Sequence, residues 1–111
     1  MLSVPKDFAI SQVAEENGRL RLIVAGELDI ATSDLLDERL QMTAATRKRV
    51  ILDLHQVSFI EASGLRVILA ALRHAQREGW GLTLTESTPA VQRLFDVAGV
   101  RELMPFEREP G

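Results

Sequence analysis

The sequence predicts a small layered α/β domain, with a mostly parallel sheet of about five strands, an N-terminal antiparallel hairpin and three main helices. Three observations carry this. Asn17-Gly18 separates two segments of alternating polarity, which is a hairpin signal. Val50, Ile51, Leu52 and Leu54 form a nearly continuous apolar run, as in a central strand covered on both faces. Stretches of helical period follow the second and later strands, and such alternation implies parallel pairing with right-handed crossovers.

The first strand spans about 8–14, where apolar and polar residues alternate. The second spans about 20–26, with Leu20, Leu22 and Val24 in alternation. A type I′ turn at Asn17-Gly18 would join them, with positive φ at both residues. Asp29, Thr32, Ser33 and Asp34 then gather short oxygen-bearing side chains and acids where a helix begins. Leu35, Leu36, Arg39, Leu40 and Thr43 mark one face of that helix, over about 32–45. The basic run Arg47-Lys48-Arg49 suits its C-terminal dipole and a solvated loop.

The central apolar run leads to a second group, Val57, Phe59 and Ile60, with His55 placed at a strand end. Leu65, Ile68, Leu69, Leu72 and Ala75 repeat at helical spacing over about 64–78, and Gly79 stops that helix. Leu82 and Leu84 alternate with Thr83 and Thr85 in a strand at about 81–85. Thr88 caps the last helix, Pro89 opens it and Gly99 ends it; Val91, Leu94, Phe95 and Ala98 form its apolar stripe. A short final strand is expected around 103–106, before a polar tail at 107–111. The whole chain, 1–111, reads as one domain with its core over about 8–106. Three helices cannot cover both faces of such a sheet well, so they are expected to cluster on one side.

Composition excludes several functions. Thirteen Lys and Arg against 16 Asp and Glu give a net charge of −3, contrary to the basic surplus of a nucleic-acid binder. There is no cysteine, so thiolate metal sites, iron–sulfur clusters and Cys nucleophiles are excluded. The low aromatic content, 5%, gives no base-stacking platform. No apolar run approaches the ~18–20 residues of a membrane span, and the N-terminus does not read as a signal peptide. A cytoplasmic protein is expected.

Catalytic equipment is also missing. His55 and His74 lie in no ligand-spaced motif, and Gly79-Trp80-Gly81 lacks the lysine and spacing of a phosphate loop. Trp80 reads as a packing residue or an anchor near a helix end. No enzyme activity, metal or cofactor is expected. The 61–65 segment remains: Glu61-Ala62-Ser63-Gly64-Leu65, directly before the strongest amphipathic helix. Taken alone, Ser63 is an N-cap whose loss would cost about 1 kcal/mol.

Three segments together resemble the STAS domain family, named for sulfate transporters and anti-sigma factor antagonists. They are Gly26-Glu27-Leu28-Asp29, then Val50-Ile51-Leu52-Asp53-Leu54 running on to Glu61-Ala62-Ser63-Gly64-Leu65, then Thr88-Pro89 through Leu94-Phe95 with Gly99 behind. The resemblance covers roughly residues 8–106. It implies an anti-sigma factor antagonist that binds an anti-sigma factor serine kinase and so frees a sigma factor. The kinase would phosphorylate the serine before the motif glycine, here Ser63, and a PP2C-type phosphatase would reset it. Asp29 matches an acid that supports phosphorylation and kinase contact. The implied contact surface comprises Asp29, Thr32, Glu61, Ala62, Ser63, Gly64, Leu65 and Arg66, on a monomer or weak dimer. Two positions depart from the family pattern. Glu61 stands where Asp is usual, and Ala62 replaces the first of two hydroxyl residues, leaving Ser63 as the motif's only hydroxyl. The alternative within the family is a non-phosphorylated scaffold or a subunit of a signalling or lipid-transport assembly.

Overall fold

The computed structural model describes residues 8–100 and residue 105. In chain order the elements are β1 (Ala9–Ala14), β2 (Leu20–Leu28), α1 (Ser33–Ala44), β3 (Val50–Ile60), α2 (Ala62–Glu78), β4 (Leu82–Leu84) and α3 (Pro89–Ala98). The strands form one sheet in the order β1-β2-β3-β4. β1 is antiparallel to β2, while β2–β3 and β3–β4 are parallel. The mixed α/β architecture with three helices is therefore as expected, with four strands among the described residues. The fifth strand expected around 103–106 falls outside them apart from Pro105, whose carbonyl accepts the Leu84 N–H at 3.0 Å.

The hairpin is made differently from expectation. Gly18 has φ +81°, but Asn17 is not left-handed, so the turn is not type I′. The Gly18 N–H donates to the Glu15 carbonyl at 3.1 Å, and the Glu15 N–H donates to the Arg19 carbonyl at 2.8 Å. This is a three-residue loop with one left-handed glycine, which needs only one positive φ.

β3 is longer than its sequence pattern suggests, and His55 lies in its middle. The cause is two register shifts against β2, between Ile23 and Ala25 and between Gly26 and Glu27. Each leaves one extra residue on β3, which breaks the period of two. Exposed His55-Gln56 and Ser58-Phe59 thus interrupt the buried residues without ending the strand. Gly26 sits at the second shift with φ +104°, a conformation that favours glycine.

One apolar cluster draws on all three helices: Leu36, Leu40, Ile68, Leu72, Val91 and Phe95 pack with Leu22, Val24, Leu52, Leu54 and Leu84 of the sheet. Trp80 joins this cluster, and its indole N–H donates to His74 Nδ1 at 2.9 Å, which identifies it as a packing residue. Arg21 and Asp53 alternate with those inward residues. The Arg21 guanidinium meets Glu15 and Asp53, each at 2.8 Å. Its hydrogen bond to the Glu15 carboxylate holds it in its charged form, against the cost of partial burial and with further help from Asp53.

α3 begins as its sequence indicates. Thr88 Oγ1 accepts the Val91 N–H, Pro89 opens the helix and Gly99 closes it with φ +70°. Thr88→Ala is expected to cost about 1 kcal/mol, lowering Tm by roughly 4–8 °C in thermal denaturation. An unchanged Tm would show that the cap contributes nothing.

Candidate functional site

Parallel pairing brings the ends of β2 and β3 together. Leu28 pairs with Ile60, and the Glu61 N–H donates to the Leu28 carbonyl at 2.8 Å. The chain therefore leaves both strands at the same edge of the sheet. One exit enters the Asp29 turn and the other enters α2. In parallel α/β sheets this C-terminal edge is where sites form.

The first exit is held by its own polar groups. Asp29 Oδ1 accepts the N–H groups of Ala31 and Thr32, at 2.9 and 3.0 Å. Thr32 Oγ1 donates to the Glu27 carbonyl at 2.7 Å and accepts the Asp29 N–H at 2.9 Å. Asp29 thus builds the turn with its carboxylate, as short acids do before helices. Ile30 is thrust outward by it and is 79% exposed.

The second exit starts α2. Glu61 is the N-cap, in extended conformation, and its side chain makes no capping hydrogen bond. Ser63 is therefore the second helical residue and not the cap. The cap position falls to Glu61 because the Glu61 carbonyl accepts the first helical N–H, from Leu65 at 3.1 Å. The N–H groups of the first turn lie at the positive end of a 17-residue helix dipole. Gly64 seats this turn on β2 and β3. A Cβ there would lie 2.9 Å from Leu28 Cβ and 3.1 Å from Ile60 Cγ1.

The residues singled out from sequence thus converge on one edge but differ in exposure. Glu61, Ala62 and Arg66 are exposed, while Asp29, Ser63 and Leu65 are half-buried. Gly64 and Thr32 are buried, Thr32 being 1% exposed, so neither side offers much to a partner. The Thr32 hydroxyl, expected on the contact surface, is engaged inside the Asp29 turn. Ser33 was legible only as part of a helix start. It is buried, its hydroxyl bonds the Asp29 carbonyl, and its Oγ lies 3.0 Å from Ser63 Oγ. No spacing pattern reveals a contact between residues thirty apart.

Among the described residues no group of three or more His, Cys, Asp or Glu could hold a metal, and no helix is long and apolar enough to cross a membrane. What the edge offers is a half-buried hydroxyl at a helix start, bordered by an exposed acid, an exposed base and the protruding Ile30. That arrangement suits recognition by another protein and modification of the hydroxyl.

Comparison with known proteins bears on the family and the fold. The family model described as "Mlab, STAS domain" matches residues 11–105. The chain is 36% identical over 101 residues to an anti-sigma F factor antagonist of Paenibacillus polymyxa, covering 86% of this chain and 85% of that protein. An anti-sigma factor antagonist from Mycobacterium paratuberculosis shares the fold with a TM-score of 0.81 at 23% identity, over 97% of this chain and 92% of that one. The Bacillus cell fate determinant SpoIIAA in its phosphorylated form shares it with a TM-score of 0.67 at 17% identity, over 91% and 93%.

Proposed function

This chain belongs to the STAS domain family, and from that premise we propose that it is an anti-sigma factor antagonist switched by phosphorylation of Ser63. In the unmodified form it binds an anti-sigma factor serine kinase in the cytoplasm and so frees a sigma factor. Phosphate on Ser63 releases it, and a PP2C-type phosphatase restores it. It acts as a binding partner and not as an enzyme.

One observation supports this above the others. In a chain 36% identical to an anti-sigma F factor antagonist, the motif serine stands half-buried in the first turn of α2, beside exposed Glu61, Ala62 and Arg66. A kinase can reach it there. The contact surface we assign is the Asp29 turn with Ile30, together with Glu61, Ala62, Leu65 and Arg66. Asp29 acts on this surface by shaping the turn. Thr32 and Gly64 act from beneath it.

The test is phosphate transfer. Incubated with a candidate anti-sigma factor kinase and labelled ATP, the wild-type protein is expected to take up label at Ser63. Ser63→Ala is expected to bind the kinase and take up none. Equal labelling of both proteins would defeat the site assignment. Glu61, longer by one methylene than the usual Asp, favours a second reading as a non-phosphorylated subunit, and kinase binding without any labelling would support it.

A further inference from the structure

We propose that Ser33 is a positioning residue that ties Ser63 to the Asp29 turn and transmits phosphorylation from one to the other. This rests on Ser63 being the phosphoacceptor. Ser33 is the first residue of α1 and is 4% exposed. Its Oγ touches two groups, the Asp29 carbonyl oxygen and, at 3.0 Å, Ser63 Oγ. A serine hydroxyl has one hydrogen and two lone pairs, and a carbonyl can only accept. The Ser33 hydrogen therefore points to Asp29, and the bond between the hydroxyls runs from Ser63 to Ser33.

Phosphorylation removes the donor from that pair. The Ser63 oxygen bonds the γ-phosphorus of ATP, the bridging P–O bond breaks, ADP leaves, and the hydroxyl proton departs to a kinase base or solvent. Ser63 Oγ is then an ester oxygen with no hydrogen. Ser33 Oγ faces a neighbour that can only accept, and beside it stand phosphoryl oxygens that are strong, charged acceptors. A charge-assisted bond is roughly twice as strong as a neutral one, so the Ser33 hydrogen turns from the Asp29 carbonyl to the phosphate. The carbonyl keeps the Ser33 N–H, at 2.9 Å, so the turn stays folded but loosens by one bond. Ser33 thus has two discrete arrangements, which is what coupling between two segments requires. The segment it loosens carries Ile30, which is 79% exposed.

The test places phosphoserine at position 63 during translation and follows the Asp29 carbonyl ¹³C resonance. In the protein with Ser33, phosphorylation is expected to move that resonance upfield, as a carbonyl does on losing a hydrogen bond. In Ser33→Ala the resonance should already lie upfield and should not move further when the phosphate is present. Ser33→Thr, which keeps a hydroxyl, should restore the phosphate-dependent shift. A shift of equal size with and without the Ser33 hydroxyl, or no shift in either protein, would overturn the link. No kinase takes part, so failure here leaves the Ser63 assignment to the labelling experiment.

Discussion

Gly64→Ala is expected to unfold at a Tm about 5–15 °C lower than wild type, a loss of about 1–2 kcal/mol. The added Cβ would meet Leu28 Cβ at 2.9 Å, Ile60 Cγ1 at 3.1 Å and the Leu28 carbonyl oxygen at 3.3 Å. Two of these atoms are fixed by the backbone of β2 and cannot rotate away. The first turn of α2 must withdraw from the sheet edge instead. Overpacking of this kind costs about 1–3 kcal/mol. Alanine returns roughly 0.5–1 kcal/mol through its better helix propensity, which leaves the net loss above. Because Ser63 rides on the same turn, its contact with Ser33 should open too. Thermal unfolding followed by circular dichroism reads the first effect. An unchanged Tm would mean that α2 is not seated on Leu28 as closely as described.

The second large effect lies at the proposed partner surface. Phosphoserine at position 63, or Ser63→Asp, is expected to weaken binding to the anti-sigma factor about 100-fold, equivalent to about 2.8 kcal/mol. The fold should scarcely change. The phosphate adds about −1.5 to −2 charges. At the start of α2 these gain about 0.3–1 kcal/mol from the helix dipole, and exposed Glu61 opposes them through screening water. The two terms largely offset each other. Across an interface that excludes water, an unfavourable juxtaposition of charge costs several kcal/mol. Titration calorimetry with the candidate partner measures the loss, and amide spectra of the free protein measure the fold. Unchanged affinity, or spectra rearranged throughout the core, would contradict this account.

Much of the fold was legible in local pattern. The helices from Leu65 and from Pro89, their glycine stops at 79 and 99, and the buried run from Val50 all depend on side chains within a few residues of one another. Harder to read were the places where pairing between strands overrides local period. His55 looked like a strand end because two irregularities against β2 displace the alternation of β3. Asn17-Gly18 marked the right place for a turn, but the Glu15–Arg19 pairing selected a type with one left-handed residue. Ser63 resembled a cap because Ser is a preferred cap residue. Whether a helix starts one or two residues earlier depends on where the preceding strand lets go, and β3 runs to Ile60.

From the sequence by itself came the α/β order, the exclusion of thiol chemistry and the expectation that Asp29 and Ser63 share one site. Local periodicity and turn chemistry suffice for the first. The family pattern in the 26–29 and 61–65 segments suffices for the last. Only the tertiary structure decided how those two residues are joined. Parallel pairing of β2 with β3 brings their ends to one edge, and the helices that follow lie side by side. Ser33 and Ser63, thirty positions apart, then meet at 3.0 Å. Such a contact depends on two helix starts being fixed in space at once. That is a property of packing, which no run of neighbouring residues encodes.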